Sequence, residues 1–279
     1  MQGQEKGNIR TISRVRAFWP LLFLIFWLYS CATAPVTGRT QLILIPPQQE
    51  QALGIQAAQE ILKKEKIDHD PELNALLQRV GERIARAAHR SDFKWEFYLI
   101  DKDVINAFCL PGGKVFVYKG ILKYTKDECG LATVIGHEVA HALARHGAER
   151  MSIALVSQIG EKALEAALAS QGPATVNTFK TVYGLASQVG VILPYSRTQE
   201  FEADHIGLIL MARAGYDPRC ALSFWKRMKE AGSGRPRPPV FLSTHPTDEA
   251  RLERIRRLLP DAMAVYQATL GERGKRDSG

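Results

Sequence analysis

Apolar residues recur every third or fourth position in two early stretches, residues 48–66 and 71–89, both rich in Ala, Leu, Gln and Glu. That period predicts two helices, and Asp70-Pro71 supplies the second with an N-cap and a proline at its first position. The period then changes to two. Residues 94–100 set Trp95, Phe97 and Leu99 against Lys94, Glu96 and Tyr98, the alternation of a strand with two unlike faces. Residues 104–110 and 114–118 read as further strands about a turn at Pro111-Gly112-Gly113. Past Lys126 the pattern is helical almost to the end, over 127–148, 148–170, 174–193, 198–214, 218–231 and 247–258. Gly172-Pro173 and the Gly215-to-Pro218 run mark stops, and residues 232–239 form a Gly/Pro/Arg-rich loop. Ahead of the helices, residues 32–39 are irregular, with Pro35 and Gly38 as breakers, and 40–45 are an apolar stretch ended by Pro46-Pro47. A small sheet set between helices is an α+β layout, mainly helical.

The opening residues follow a different pattern. Arg10, Arg14 and Arg16 precede an apolar run over residues 17–29, broken by Pro20, as in a secretory signal. Such a run is short for a permanent span of a hydrocarbon core about 30 Å thick. Leu28-Tyr29-Ser30-Cys31 resembles a bacterial lipobox, with Cys31 as the lipidated first mature residue, although Tyr29 departs from the usual small residue. The competing reading is an uncleaved signal anchor. Ala32, rather than an aspartate, after the cysteine implies the outer membrane. The chain carries a net +8, of which the first 30 residues hold +3. The remaining excess suits an anionic membrane surface as well as nucleic acid, but no nucleic-acid motif accompanies it, and no nucleic-acid partner is expected. Cys109, Cys129 and Cys220 have no CxxC spacing, so a cysteine-based zinc site is not expected, and buried small hydrophobes are the default reading for all three.

Candidate chemistry centres on His137-Glu138-Val139-Ala140-His141. Histidines at i and i+4 share a helix face, one turn apart, so both imidazoles can reach one Zn2+. Glu138 is rotated about 100° from His137, beside the metal, where it can take a proton from an activated water. With seven His in the chain, such a pentapeptide arises by chance about once in a hundred such sequences. This one lies in the apolar run Leu131 to Gly136, where two imidazoles and a carboxylate are costly unless satisfied. A third protein ligand is required. The candidate stretch is residues 196–204, in which Glu200 and Asp204 stand at i and i+4. That face can offer one carboxylate to the metal and another to a ligand histidine. Glu202 is expected on the surface.

HEVAH followed by SRTQEFEAD resembles the M48 family of zinc metallopeptidases, closest to its periplasmic BepA/LoiP-like lipoprotein branch. The resemblance extends to Val36-Thr37-Gly38-Arg39, to residues 106–113 and to Ser243-Thr244-His245-Pro246, and so covers nearly all of the chain after Cys31. It implies a zincin-type domain with the small sheet beside the HExxH helix, His137, His141 and Glu200 as ligands of one Zn2+, Glu138 as general base and Asp204 behind a ligand. His245 is either a reversible latch on the fourth zinc position or a loop histidine before a helix capped by Thr247. Arg251 is either an oxyanion donor facing the cleft or one more exposed cation. Asn106, Ala107 and Phe108 are either an edge strand that pairs with extended substrate or plain core sheet. His69, His89, His146 and His205 lack partner spacing and are expected at the surface or in the core. The implied organisation is a signal peptide at 1–30, an N-terminal segment at 31–46, a peptidase domain at 47–260 and a tail at 261–279. No long tetratricopeptide-type extension follows, which favours a compact type. The implied activity is endopeptidase cleavage of misfolded or misassembled outer-membrane proteins in the periplasm, with possible contact to the outer-membrane assembly machinery. The rival is a chaperone-like assembly factor whose zinc site stays latched.

Overall fold

The computed structural model describes residues 31–168, 193–234 and 237–277. The segment expected as a signal, residues 1–30, and nearly all of the helix expected at 174–193 lie outside them.

Alternation within the strands decides which helices cover which sheet face. Three strands, β3 (Glu96–Ile100), β4 (Ala107–Leu110) and β5 (Lys114–Tyr118), form a sheet in the order β3-β5-β4. β3 runs parallel to β5, β4 antiparallel to it, and β4 is an edge. Successive side chains point to opposite faces. Val115 and Val117 therefore join Phe97, Leu99 and Ala107 in the main core, under α2 (Pro71–Ala88) and α4 (Glu128–Leu143). Phe116 faces the other way, onto Ala58, Ile61 and Leu62 of α1 (Pro47–Lys64). The turn joining β4 to β5 uses Gly112 and Gly113 at φ of 87° and 90°, a region that favours glycine. Residues Lys119–Ile121 (a 3-10 turn) and α3 (Leu122–Thr125) lead into α4.

α4 is apolar all round and so is buried all round. Every residue from Gly130 to Ala142 is buried, and Asp127 caps the start by accepting from the Gly130 N–H at 2.7 Å. The single helix expected over 127–148 is instead broken. Arg145 takes φ of 54°, held there by Glu50 (Nε to Oε2, 2.6 Å) and the Ile45 carbonyl (2.8 Å), and α5 (His146–Leu168) starts afresh. α6 (Leu193–Ala214) crosses α4 where Gly136 meets Gly207. A Cβ on Gly136 would stand 3.2 Å from the Gly207 carbonyl oxygen, so the two helices approach this closely only without side chains there.

α7 (Cys220–Gly232) and the short α8 (Val240–Thr244) complete the cover over α4. Cys129 and Cys220 form a disulfide that ties the start of α4 to the start of α7, which corrects their reading as simple buried hydrophobes; Cys109 is free and half-buried. The last helix, α9 (Glu249–Asp277), begins with Asp248 as its cap (Arg251 N–H to Oδ1, 2.8 Å) rather than Thr247, whose hydroxyl is buried without a partner. It also runs far past Leu258. Pro260 lies inside it on an exposed face, where the carbonyl it leaves unpaired can meet water, and Arg273 near its end donates to the Ala214 carbonyl at 2.8 Å. Residues 261–277 of the expected tail are thus helical, with Arg273 docked on the end of α6. Two short strands, β1 (Cys31–Thr33) and β2 (Thr40–Leu42), pair antiparallel at the N-terminal edge, giving part of the supposedly irregular segment a regular partner. Among the described residues, no helix is long and apolar enough to cross a membrane.

Candidate active site

α4, α6 and the α8–α9 junction each bring donors to one point. His137 and His141 come from consecutive turns of α4, Glu200 from α6, and His245 from the residue that ends α8. All four are buried, and one ligand-type atom from each lies within 4.8 Å of all the others. His137 Nε2 is 3.1 Å from His141 Nε2, 3.1 Å from His245 Nδ1 and 3.4 Å from Glu200 Oε2. Glu200 Oε1 is 3.3 Å from His141 Nε2, and Glu200 Oε2 is 2.9 Å from His245 Nδ1. A tetrahedral Zn2+ with bonds near 2 Å needs donors about 3.3 Å apart, so the cluster fits the ion.

Glu138, one residue on from His137, is turned off the cluster. Its Oε1 is buried with no hydrogen bond, although His245 Nε2 stands 3.3 Å away. A buried oxygen without a partner is rare and calls for a reason; a base waiting for a proton is one. Burial holds the Glu138 carboxyl above its usual range, with His245 and His137 opposing. Around His137, burial pulls the imidazole down but Asp204 and Glu200 outweigh it, raising it to about 9. The field that holds a proton there also attracts a cation. Burial takes His141 well below the ordinary imidazole value despite Glu200, which leaves it neutral, as a ligand must be.

Asp204 lies where its spacing placed it, with Oδ1 3.0 Å from His137 Nδ1. Arg251 does not. It is only 2% exposed, so it is not one more exposed cation, and its Nη1 stands 3.2 Å from Glu200 Oε2 beside the cluster. Its guanidinium donates to both Asp204 oxygens (2.8 and 2.7 Å) and to the Pro246 carbonyl, and it stacks 3.5 Å above the Trp225 ring. Trp225 also packs edge-on against His137. Glu202 likewise contradicts its surface assignment, because the N-terminal segment covers that side of α6. It is 4% exposed, accepts from Arg39 Nε at 2.9 Å and from the Thr37 hydroxyl, and lies 3.0 Å from His146 Nε2. His146 is fully buried against His141. His69 and His89 are exposed and His205 half-buried, as expected. Sequence spacing missed His146, Arg39 and Thr37; the one hint was the Val36-to-Arg39 patch.

The strand residues Ala107 and Phe108 sit in β4, with Asn106 just before it. Cys109, two residues along, is buried enough that its thiol is pushed up, and it feels the Glu138 charge, so β4 lies close to the carboxylate. The Ile105 carbonyl accepts from the Phe241 N–H of α8 at 3.0 Å.

The sequence pattern of peptidase family M48 matches residues 71–259, which takes in α2, the sheet and every donor of the cluster. The chain belongs to family M48. Family membership brings a metallopeptidase architecture, and His137, His141, Glu200 and His245 form a cluster that could hold a metal ion. The M48 chain is 41% identical to the mitochondrial metalloendopeptidase OMA1 of Schizosaccharomyces pombe over 69% of its length and 55% of the relative's. It is 30% identical to OMA1 of Saccharomyces cerevisiae over 94% of its length and 81% of that protein's. It is also 28% identical to the beta-barrel assembly-enhancing protease of Escherichia coli, over 80% of its length and 46% of that protein's. The M48 chain thus spans about half the length of several curated relatives it matches.

Proposed function

We propose that this chain is a zinc-dependent metalloendopeptidase, with His137, His141 and Glu200 holding one Zn2+ and Glu138 serving as general base. The observation that carries the reading is the four-donor cluster with the unpaired Glu138 oxygen beside it. Bound zinc would supply a Lewis acid that acidifies a water and polarises the scissile carbonyl. Glu138 would take the proton and later return it to the leaving amine. Asp204 fixes the His137 ring, and Arg251 fixes Asp204, a positioning role. Substrate is best received as an extended strand against β4, beginning at Asn106, Ala107 and Phe108, because β4 is paired on one side only among the described residues and lies near Glu138. Such backbone pairing favours unfolded or misassembled protein over a fixed sequence. The test is cleavage of unfolded casein by the zinc-loaded protein and its Glu138→Gln variant; equal cleavage by both would remove the assignment.

A second reading, a latched assembly factor, is favoured by one observation: His245 Nδ1 stands in the fourth donor position. The two combine if His245 withdraws when substrate arrives. For location we propose an oxidising envelope compartment, with Cys31 lipid-modified and the outer membrane of a Gram-negative bacterium as the surface. The Cys129–Cys220 disulfide suits such a compartment. Substrates there would be misassembled membrane proteins, a class in keeping with the name of the Escherichia coli relative, the beta-barrel assembly-enhancing protease. Cys31→Ser should move the protein out of the membrane fraction or leave its precursor uncleaved; unchanged fractionation and mass would favour an uncleaved anchor.

A further inference from the structure

His146 sits directly behind His141. The two Nδ1 atoms are 2.8 Å apart, the rings are buried and edge-on, and His146 Nε2 lies 3.0 Å from Glu202 Oε2. The direction of this chain is fixed by elementary tautomer chemistry. If Nε2 of His141 offers its lone pair to a metal, Nδ1 carries the proton and donates it to His146 Nδ1. His146 must then carry its own proton on Nε2 and donate to Glu202. Every donor points away from the metal site, and the chain ends on a carboxylate that must stay an acceptor. Arg39 secures that end. Its Nε and Nη2 donate to Glu202 Oε2 at 2.9 and 2.7 Å, and the Thr37 hydroxyl donates to Oε1. The other side of the same guanidinium grips Glu149 at 2.7 and 2.8 Å, and Glu149 also accepts from Gln199 at 2.7 Å, so Arg39 itself is fixed. With two guanidinium donors, a hydroxyl and the His146 ring aimed at its two oxygens, Glu202 is placed as an acceptor, as the chain requires.

We propose that Arg39, with Thr37, is a positioning residue of the metal site, acting through Glu202 and His146 to hold His141 with Nε2 turned to the ion. The N-terminal segment is then part of the active centre rather than a tether alone. This inference rests on the metal reading above. Partners in this outer position typically carry a 10- to 100-fold effect on metal affinity.

The experiment uses the full purified chain and three variants, Arg39→Met, Arg39→Lys and Glu202→Gln. Zinc affinity is measured by competition with a chromophoric chelator, and the visible spectrum of the Co2+-loaded protein reports ligand geometry. Circular dichroism checks folding. Arg39→Met is expected to weaken zinc binding about 10- to 100-fold and shift the Co2+ bands. Arg39→Lys should recover part of both, because an ammonium restores the charge but not the fork across two carboxylates. Folded Arg39→Met with wild-type zinc affinity and Co2+ spectrum would overturn the inference, leaving the contact as a plain staple. Should Arg39→Met fail to fold, the isosteric Glu202→Gln decides alone, and wild-type zinc retention there overturns it equally. Wild-type protein that takes up neither metal would sink the metal reading itself, a result distinct from unchanged affinity in the variants.

Discussion

His137 and His141 stand one turn apart on the same helix, yet they are supported differently. His137 leans directly on Asp204, which Arg251 grips with two donors while stacked on Trp225, and all of these are buried. His141 leans on Glu202 only through His146, and the clasping Arg39 side chain is 21% exposed. One arm is short, dry and built from α6 and α9. The other is long, partly wet and borrows its last member from the N-terminal edge. A helix can therefore place two equivalent imidazoles by its own geometry, but what orients each ring is set by whichever segment covers that side.

The largest expected effect lies outside both arms. Glu138→Gln should reduce peptide hydrolysis by about 10²–10⁴-fold while zinc content stays at the wild-type level, since Glu138 is in neither chain of support. Zinc lost from that variant at wild-type loading would make Glu138 a ligand and undo the division. Next comes the short arm. Asp204→Asn takes the charge from the two-donor partner of a guanidinium that is only 2% exposed and keeps Glu200 at 3.2 Å, so it should lower stability by about 3 kcal/mol, visible in urea melts. Glu202→Gln should lower it less, because Arg39 keeps Glu149 and some water. Equal losses would erase the contrast between a dry arm and a wet one.

Acid sharpens the same contrast. Glu202 has its carboxyl held at about 2 in the folded chain against an ordinary 4.5, chiefly by His146 and Arg39 acting against burial. A depressed carboxyl stabilises the fold fully above the ordinary value and loses that contribution as pH falls toward the folded one. The stability gap between wild type and Glu202→Gln should therefore be widest above pH 4.5 and close between 4.5 and 2, a change of about 1–3 kcal/mol. A gap that does not move with pH would mean that Glu202 is not the ionised end of the chain. Smallest is the latch. His245→Ala, at equal zinc content, should raise casein cleavage a few-fold by freeing the fourth position; equal or lower cleavage would make His245 a structural residue.

Much of this was legible from local pattern. The periods of α1, α2 and the three strands gave boundaries within a few residues, because each element buries one face of its own. His137, His141, Glu200 and Asp204 were legible because i and i+4 on a helix is a spatial statement already. What escaped was set by distant chain. Glu202 reads as a solvent-facing carboxylate until residues 37–39 cover it, and the turn at Arg145 exists because Glu50 and Ile45 hold it. The Cys129–Cys220 pairing spans 91 residues and has no local signature. Pro260 reads as a stop, yet the helix continues because its missing hydrogen bond faces water.

The clasp of Arg39 on Glu202 closes a loop of 163 residues, and the donors of the site are spread from His137 to His245. A chain made from its N-terminus first therefore presents the HEVAH helix well before Glu200 exists, and Glu200 before His245 and Arg251. Two imidazoles without a carboxylate are a weak ion trap, and Arg39 has nothing to hold until the second half of the chain has been made. Contacts this far apart in sequence also form late in folding, since the loop must close before it is rewarded. The cluster is thus incomplete in a growing chain until residues as far along as Arg251 have been made.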